Sequence, residues 1–345
     1  MSSTDDKKVL VVLGATGNQG GSVVRTFLND PVLASQWHVR GTTRNASSVA
    51  AVELSKLGAE MVSASLYSEA ELRSAFTDAT AIFAVTDFWT AIQDPALHKQ
   101  AQETGTHLTI IAQEVEETWG RNLAAAASDI PSLERFVFSS LPSVTELSHG
   151  KYKHVHHYDG KANIVKNIQQ SYPELWSKMS QILVGSYNSN ILPGSYFPPV
   201  YNPATKKAEF DGPVSPDALW PFINAPISTG LFVKALILDE PVGTILAAFD
   251  EWKSIQQIID LLTRFTGKEF GYVQKTVEEM AAASPIGLEL PETYLFASEY
   301  GALGEKADGW KNTLTLPSDL KAKIERPSFE KWLQEQDWSS VFEAA

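Results

Sequence analysis

Short apolar runs alternate along this chain with segments in which apolar residues recur at helical spacing. The first run, Val9-Leu-Val-Val-Leu13, ends directly on Gly14-Ala-Thr-Gly-Asn-Gln-Gly20. Runs of this kind suit strands buried on both faces, and the helical segments suit helices laid over them. The pattern predicts strands at residues 9–13, 38–43, 60–63, 81–85, 135–140 and 181–184. Between them it predicts helices at 22–28, 49–57, 69–76, 114–127 and 159–171, with a polar insertion of unassigned structure opening at Asp94-Pro95. Strand and helix in alternation imply an α/β fold, a doubly wound parallel sheet of Rossmann type.

After Asn190 the texture changes. Pro193, Pro198, Pro199, Pro203, Pro213, Pro216, Pro221 and Pro226 interrupt regular structure, and Tyr196, Phe197, Tyr201, Trp220 and Phe222 supply aromatic surface. We read 1–190 as a nucleotide-binding Rossmann domain and 191–345 as a smaller C-terminal domain on the substrate or partner side. Helices are expected there at 227–238, 254–266 and 328–335, and the strand-like stretch 243–249 is expected to return to the main sheet.

The glycine loop carries the first chemical signal. Gly14 permits a tight turn, Gly17 removes a side chain where backbone must approach a pyrophosphate, and Gly20 lets the next helix lie close. The helix N-terminus then offers free N–H groups and the positive end of its dipole. Gly14, Thr16, Gly17, Asn18, Gln19 and Gly20 are therefore the expected nucleotide contacts. The strand at 38–43 ends beside the adenosine ribose of such a site, where NAD would want a carboxylate. Residues 36–52 hold no Asp or Glu, but they include Arg40 and Arg44. A guanidinium forks onto a 2′-phosphate, so the expected cofactor is NADP(H), with Arg44 as its contact and Arg40 an ordinary exposed strand residue.

Composition narrows the function classes. The chain has 345 residues, 43% of them hydrophobic, enough for a large α/β domain and a smaller one. It has no cysteine, which removes disulfides, thiolate catalysis and cysteine metal sites. A formal charge of −13 opposes direct nucleic-acid binding. No apolar stretch approaches the ~20 residues of a membrane span, and the expected location is the cytoplasm, with the nucleus as a further compartment.

Gly14-Ala-Thr-Gly-Asn-Gln-Gly-Gly-Ser22, Thr43-Arg-Asn45, Val85-Thr-Asp-Phe-Trp89, Phe136-Val-Phe-Ser-Ser140, Tyr158-Asp-Gly-Lys161 and Gly185-Ser-Tyr-Asn188 follow one another in an order that resembles the NmrA-like family. That family is an atypical branch of the short-chain dehydrogenase/reductase superfamily and includes fungal nitrogen-repression regulators. The resemblance implies NADP(H) binding, with the glycine loop on the pyrophosphate and Arg44 on the 2′-phosphate. Some relatives carry further basic residues after that arginine. Here Ala46, Ser47 and Ser48 stand there, so a weaker preference for NADP is expected.

In active short-chain reductases a Tyr protonates the substrate and a Lys four residues later supports it. Here Lys161 fills the lysine place, but His157 stands four before it and Tyr158 three before. Four residues along a helix put His157 and Lys161 on one face, and an imidazole is a suitable general acid. Lys161, His157 and Tyr158 are the catalytic candidates. Isoflavone-reductase-like relatives are thought to use the lysine alone, while NmrA-like sensors also carry it. Lys161 is also a cofactor candidate, with Thr86 and Ser139 at predicted strand ends; Trp89, Ser140, Tyr187, Asn188 and Asn190 are substrate candidates. His149, His154, His156 and His157 cluster in sequence, but without cysteine no metal site is expected.

Two functions remain open from sequence. One is an NADPH-dependent reductase of a carbonyl, imine or activated alkene in a small apolar molecule. The other is a non-catalytic NADP(H)-sensing redox regulator acting through a protein partner such as a transcription factor. The oligomeric state is left open.

Overall fold

A computed structural model describes residues 7–343. Its centre is an eight-stranded, wholly parallel sheet. The strands are β1 (Lys8–Val12), β2 (Trp37–Thr43), β3 (Glu60–Ser63), β4 (Ala79–Ala84), β5 (Arg135–Ser140) and β6 (Met179–Val184), followed by Ile245–Ala248 and Leu314–Thr315. The spatial order is β3-β2-β1-β4-β5-β6, then Ile245–Ala248 and Leu314–Thr315 at the edge. The order reverses at β1, between β2 and β4, which opens a ligand crevice at the C-terminal strand ends.

The side-chain alternation of β1 shows why its apolar run has no polar face. Leu10 and Val12 enter one core layer with Val23, Val24 and Phe27 of the first helix, α1 (Asn18–Asn29), and with Phe232, Val233 and Leu236. Val11 and Leu13 enter the opposite layer with Phe76, Leu123, Phe136, Ile164 and Ile168. That second layer lies under the helices Leu108–Ser128 and His156–Ser171. These two helices cross closely because Gly120 has no side chain; a Cβ there would sit 2.3 Å from Ile164 Cγ1.

The C-terminal residues enter both the sheet and its cover. Ile245–Ala248 pairs with β6, and the helix Ala225–Leu238 packs along α1. At that contact Ser22 Oγ donates to Ile227 O at 2.9 Å and accepts from Gly230 N–H at 2.8 Å. A Cβ on Gly230 would meet Thr26 Oγ1 at 2.2 Å. Two three-stranded sheets lie outside the main one: Ser186–Tyr187, Leu219–Ile223 and Glu251–Ser254, and Val200–Asn202, Lys207–Gly212 and Phe270–Gln274.

Several elements extend past their predicted limits. The helix expected at 114–127 runs from Leu108, because Ile111 and Ala112 continue its buried stripe. The insertion opening at Asp94-Pro95 folds as the helix Pro95–Thr104, preceded by Phe88–Ile92; Asp94 accepts from Ala96 N–H and Asp87 from Trp89 and Thr90 N–H. The helix Glu289–Tyr300 has no counterpart in the sequence reading. Arg40 is not an ordinary exposed residue: it bonds Glu60 Oε2 at 2.7 Å and the carbonyls of Ala75 and Thr77. Among the described residues no helix is long and apolar enough to cross a membrane.

Candidate nucleotide and substrate site

The glycine loop hangs between three strands. Leu13 N–H donates to Phe83 O, Ala15 N–H to Thr42 O and Gly17 N–H to Gly14 O, at 2.8 to 3.0 Å. Gly14 has φ +60°, the left-handed region that favours glycine. Gly20 is required by close approach: a Cβ there would lie 2.3 Å from Gly14 O. Gly17 caps α1 without any side-chain hydrogen bond, and Gly14, Thr16, Gly17 and Asn18 are exposed. The first turn of α1 therefore keeps free N–H groups at the mouth of the crevice, which is what a dinucleotide phosphate needs.

Beside the loop lies a cleft of about 310 Å³ lined by Thr16, Gly17, Asn18, Arg25, Ala50, Glu53 and Leu57, among others. Arg25 was not singled out from sequence. Arg44 is exposed at the end of β2 and is not part of that lining. Thr16 Oγ1 and Thr43 Oγ1, 3.4 Å apart, bridge the loop to β2.

On its other side the loop reaches the end of β6. Gln19 Nε2 donates to the Tyr187 hydroxyl at 2.7 Å, while Gln19 Oε1 is buried without a partner. Burial pushes the Tyr187 phenol up to about 12, against the opposing hydrogen bond from Gln19 and with the Asp87 charge adding to the rise. Asn188 is buried with Oδ1 unpartnered, and Asn190 Nδ2 lies 3.5 Å from Ser186 Oγ. Ser139 and Ser140 are buried at the end of β5, and Ser140 Oγ donates to Leu141 O at 3.3 Å.

Lys161 faces the turn after β4. Its ammonium donates to Thr86 O at 2.8 Å, Thr86 Oγ1 at 2.9 Å and Glu116 Oε1 at 2.7 Å. An ammonium has three donors, and all three are taken. The Glu116 side chain is fully buried, and its Oε2 has no partner.

One turn earlier, His157 is held by Glu289 of the helix Glu289–Tyr300. Glu289 Oε1 accepts from the His157 backbone N–H at 3.0 Å and lies 2.5 Å from Nδ1. The helix His156–Ser171 has no side-chain cap of its own, so this buried carboxylate satisfies one of its free N–H groups. The His157 ring packs on Trp89, centroids 5.0 Å apart, and Trp89 packs on Tyr196 at 4.8 Å. The structure thus brings Thr86, Trp89, His157 and Lys161 to one wall.

Tyr158 is not on that wall. Its hydroxyl donates to Ala302 O at 3.1 Å inside the cluster of Val144, Tyr152, Val155 and Phe296, and burial pushes its phenol upward. One residue on from His157, its side chain leaves the helix about 100° around the axis from that ring and packs into this cluster instead. The clustered histidines also separate. His154 pairs with Glu292, His156 with Gln113 and His157 with Glu289, while His149 occupies a turn with φ +52°. Among the described residues no group of three or more His, Cys, Asp or Glu is placed to hold a metal ion.

Glu116 and Glu289 escaped the sequence reading, although a signal existed. Glu116 falls on the buried stripe Ala112, Trp119, Gly120 and Leu123, and Glu289 on that of Thr293, Phe296 and Ala297. A carboxylate on an apolar helix face rarely stays there unpaired.

Residues 6–326 match the sequence profile of the NmrA-like family. The chain belongs to that family. An NmrA-like family domain-containing oxidoreductase, cpsB, of Aspergillus campestris is 26% identical over 341 residues, covering 92% of this chain and 90% of its own length. A crystal structure of NmrA, a negative transcriptional regulator, in complex with NAD superposes on this NmrA-like protein with TM-score 0.66 at 19% identity, covering 96% and 95% of the two chains. The binary complex of leucoanthocyanidin reductase with NADPH from Vitis vinifera gives TM-score 0.67 at 14% identity, covering 95% and 98%. The fold of this NmrA-like protein is therefore that of both a regulator and a reductase.

Proposed function

We propose that this chain is an NADP(H)-dependent oxidoreductase acting on a carbonyl, imine or activated alkene of a small apolar molecule. The carrying observation is the uncapped N-terminus of α1, held by Gly14 and Gly20 beside the ends of β4 and β6. The loop residues Gly14 to Gly20 would hold the pyrophosphate, Arg44 the 2′-phosphate, and Thr86 and Ser139 the nicotinamide side, joined by Lys161 on exchange of one of its present donors. When bound, the reduced nucleotide supplies a hydride to the substrate. Trp89, Tyr187, Asn188 and Asn190, with Ser140 behind them, would shape the substrate end, and residues after 190 would close it. The curated relative named an oxidoreductase and the NADPH complex of the Vitis protein support this reading. The cytoplasm is its proposed place of work.

Calorimetric titration with NADPH, NADP+, NADH and NAD+ tests the site. NADPH oxidation with a panel that includes cinnamaldehyde, pyrroline and cyclohexenone tests the reaction. Selective binding of NADPH and turnover of one panel member are expected; binding of none of the four nucleotides rejects the reading.

The saturated Lys161 favours a second reading, in which the nucleotide binds without turnover and alters a surface for a protein partner. Nucleotide-dependent capture of a transcription factor, with no NADPH oxidation, would support it. Identical capture with and without nucleotide would reject it.

A further inference from the structure

We propose that His157 delivers the proton in the reduction and that Glu289 is its positioning residue, an inference that rests on the oxidoreductase reading above. The other two candidates are committed elsewhere: Lys161 spends its three N–H donors on Thr86 and Glu116, and the Tyr158 hydroxyl is buried on Ala302 O. His157 is not. Its Nδ1 sits on Glu289 Oε1, and Nε2 has no protein hydrogen-bond partner among the described residues.

The setting suits proton delivery. The His157 side chain is 12% exposed and the Glu289 side chain fully buried, so the pair is shielded without being sealed. The ring lies against Trp89 and Phe88, on the segment that directly follows Thr86. Trp89 in turn meets the exposed Tyr196, so the imidazole abuts a row of aromatic rings that reaches the surface. A buried carboxylate on Nδ1 holds an imidazole in one tautomer and orientation and leaves Nε2 as the exchanging atom.

The balance is simple. A bound reduced nicotinamide nucleotide would supply the hydride taken up by the electrophilic carbon, and would itself be oxidised. The Nε2–H bond of the His157 imidazolium breaks, its electron pair stays on the ring, and the proton bonds to the pair displaced onto oxygen or nitrogen. The neutral ring keeps its proton on Nδ1, against Glu289, and solvent restores the proton on Nε2.

Glu289 also caps the helix His156–Ser171, so the test must separate capping from positioning. Full-length wild type, His157→Gln, Glu289→Ala, Glu289→Gln and His157→Gln/Glu289→Ala are compared by kcat, by NADPH affinity in calorimetry, by thermal unfolding, and by nitrogen NMR of the His157 tautomer. General acid catalysis contributes roughly 100-fold or more, so His157→Gln is expected to lower kcat on that order with NADPH affinity within about twofold. Glu289→Ala is expected to lower kcat about tenfold or more and to lose the Nδ1–H tautomer. Glu289→Gln keeps an acceptor on Nδ1 and is expected to recover most of that loss. Adding Glu289→Ala to His157→Gln is expected to change kcat no further, because the carboxylate acts through the ring.

A wild type that reduces a panel member, with His157→Gln equally active, overturns the inference alone. So does a Glu289→Ala that is less stable but retains kcat, which makes the carboxylate a cap only. A wild type that binds NADPH yet oxidises none overturns the reductase reading and the use of the dyad with it.

Discussion

Glu116 and Lys161 form a closed pair: the carboxylate is fully buried, and the ammonium 2.7 Å away spends its other two donors on Thr86. They come from neighbouring helices, and Gly160 eases the approach, since a Cβ there would press on Glu116 Oε2 at 3.1 Å. Breaking a buried pair from one side leaves an uncompensated charge, which costs about 3–5 kcal/mol. Lys161→Met is therefore expected to lower unfolding stability by roughly that amount, and Lys161→Met/Glu116→Leu to recover more than half of it. Urea unfolding measures both; equal losses in the single and double variants would show that the carboxylate does not depend on the lysine.

The 2′-phosphate contact is tested by selectivity. A charge-assisted hydrogen bond is worth about 1.5–3 kcal/mol, so Arg44→Ala is expected to weaken NADPH roughly 10- to 100-fold and leave NADH within about twofold. Arg25→Ala, in the cleft beside the loop, serves as the comparison. Loss of selectivity in Arg25→Ala and its retention in Arg44→Ala would move the contact to Arg25.

Two glycines with different surroundings separate close approach from backbone freedom. Gly20→Ala puts a Cβ within 2.3 Å of Gly14 O, whereas Gly105 has φ +71° with nothing within 4 Å of its Cβ position. Gly105→Ala should cost only about 1–2 kcal/mol and leave nucleotide affinity unchanged. Gly20→Ala should cost more and abolish binding in calorimetry; unchanged affinity would mean that the loop does not carry the phosphate.

His156 gives a pH prediction. Burial holds its imidazole below the ordinary value of 6.5, only partly offset by the charges of Glu289 and Asp159, while Nδ1 meets Gln113 Oε1 at 2.6 Å. The unfolded chain takes up this proton more readily than the folded one. The contribution is present in full above the unfolded value and is lost as pH falls through it toward the lowered folded value. His156→Gln is expected to flatten the fall in stability from about pH 7 to 5. Chemical unfolding at a series of pH values measures the slope, and an unchanged slope would place the acid sensitivity elsewhere.

The sheet was legible because its strands are local: Val9 to Leu13 announce a doubly buried strand and Gly14 to Gly20 the turn after it. The pairing of His157 and Lys161 on one face was legible too, since four residues fix that geometry. Their carboxylates were not. Glu116 lies 45 residues from Lys161 and Glu289 lies 132 residues from His157, so no local period could join them. Arg40 was misread for the same reason: its partners Glu60, Ala75 and Thr77 come from other elements. Tyr158 was placed beside Lys161 by its three-residue spacing, and its burial against Phe296 and Ala302 again comes from a distant part of the chain.

The seam between α1 and the helix Ala225–Leu238, fastened by Ser22 and Gly230, also bears on how the molecule is made. During synthesis from the N-terminus, α1 emerges roughly 200 residues before the helix that covers its back. Until then Val23, Val24 and Phe27 lack Phe232, Val233 and Leu236 as core partners. The nascent chain must therefore carry an unfinished greasy face through most of translation, and the glycine loop gains its rigid support only when more than two thirds of the polypeptide exists.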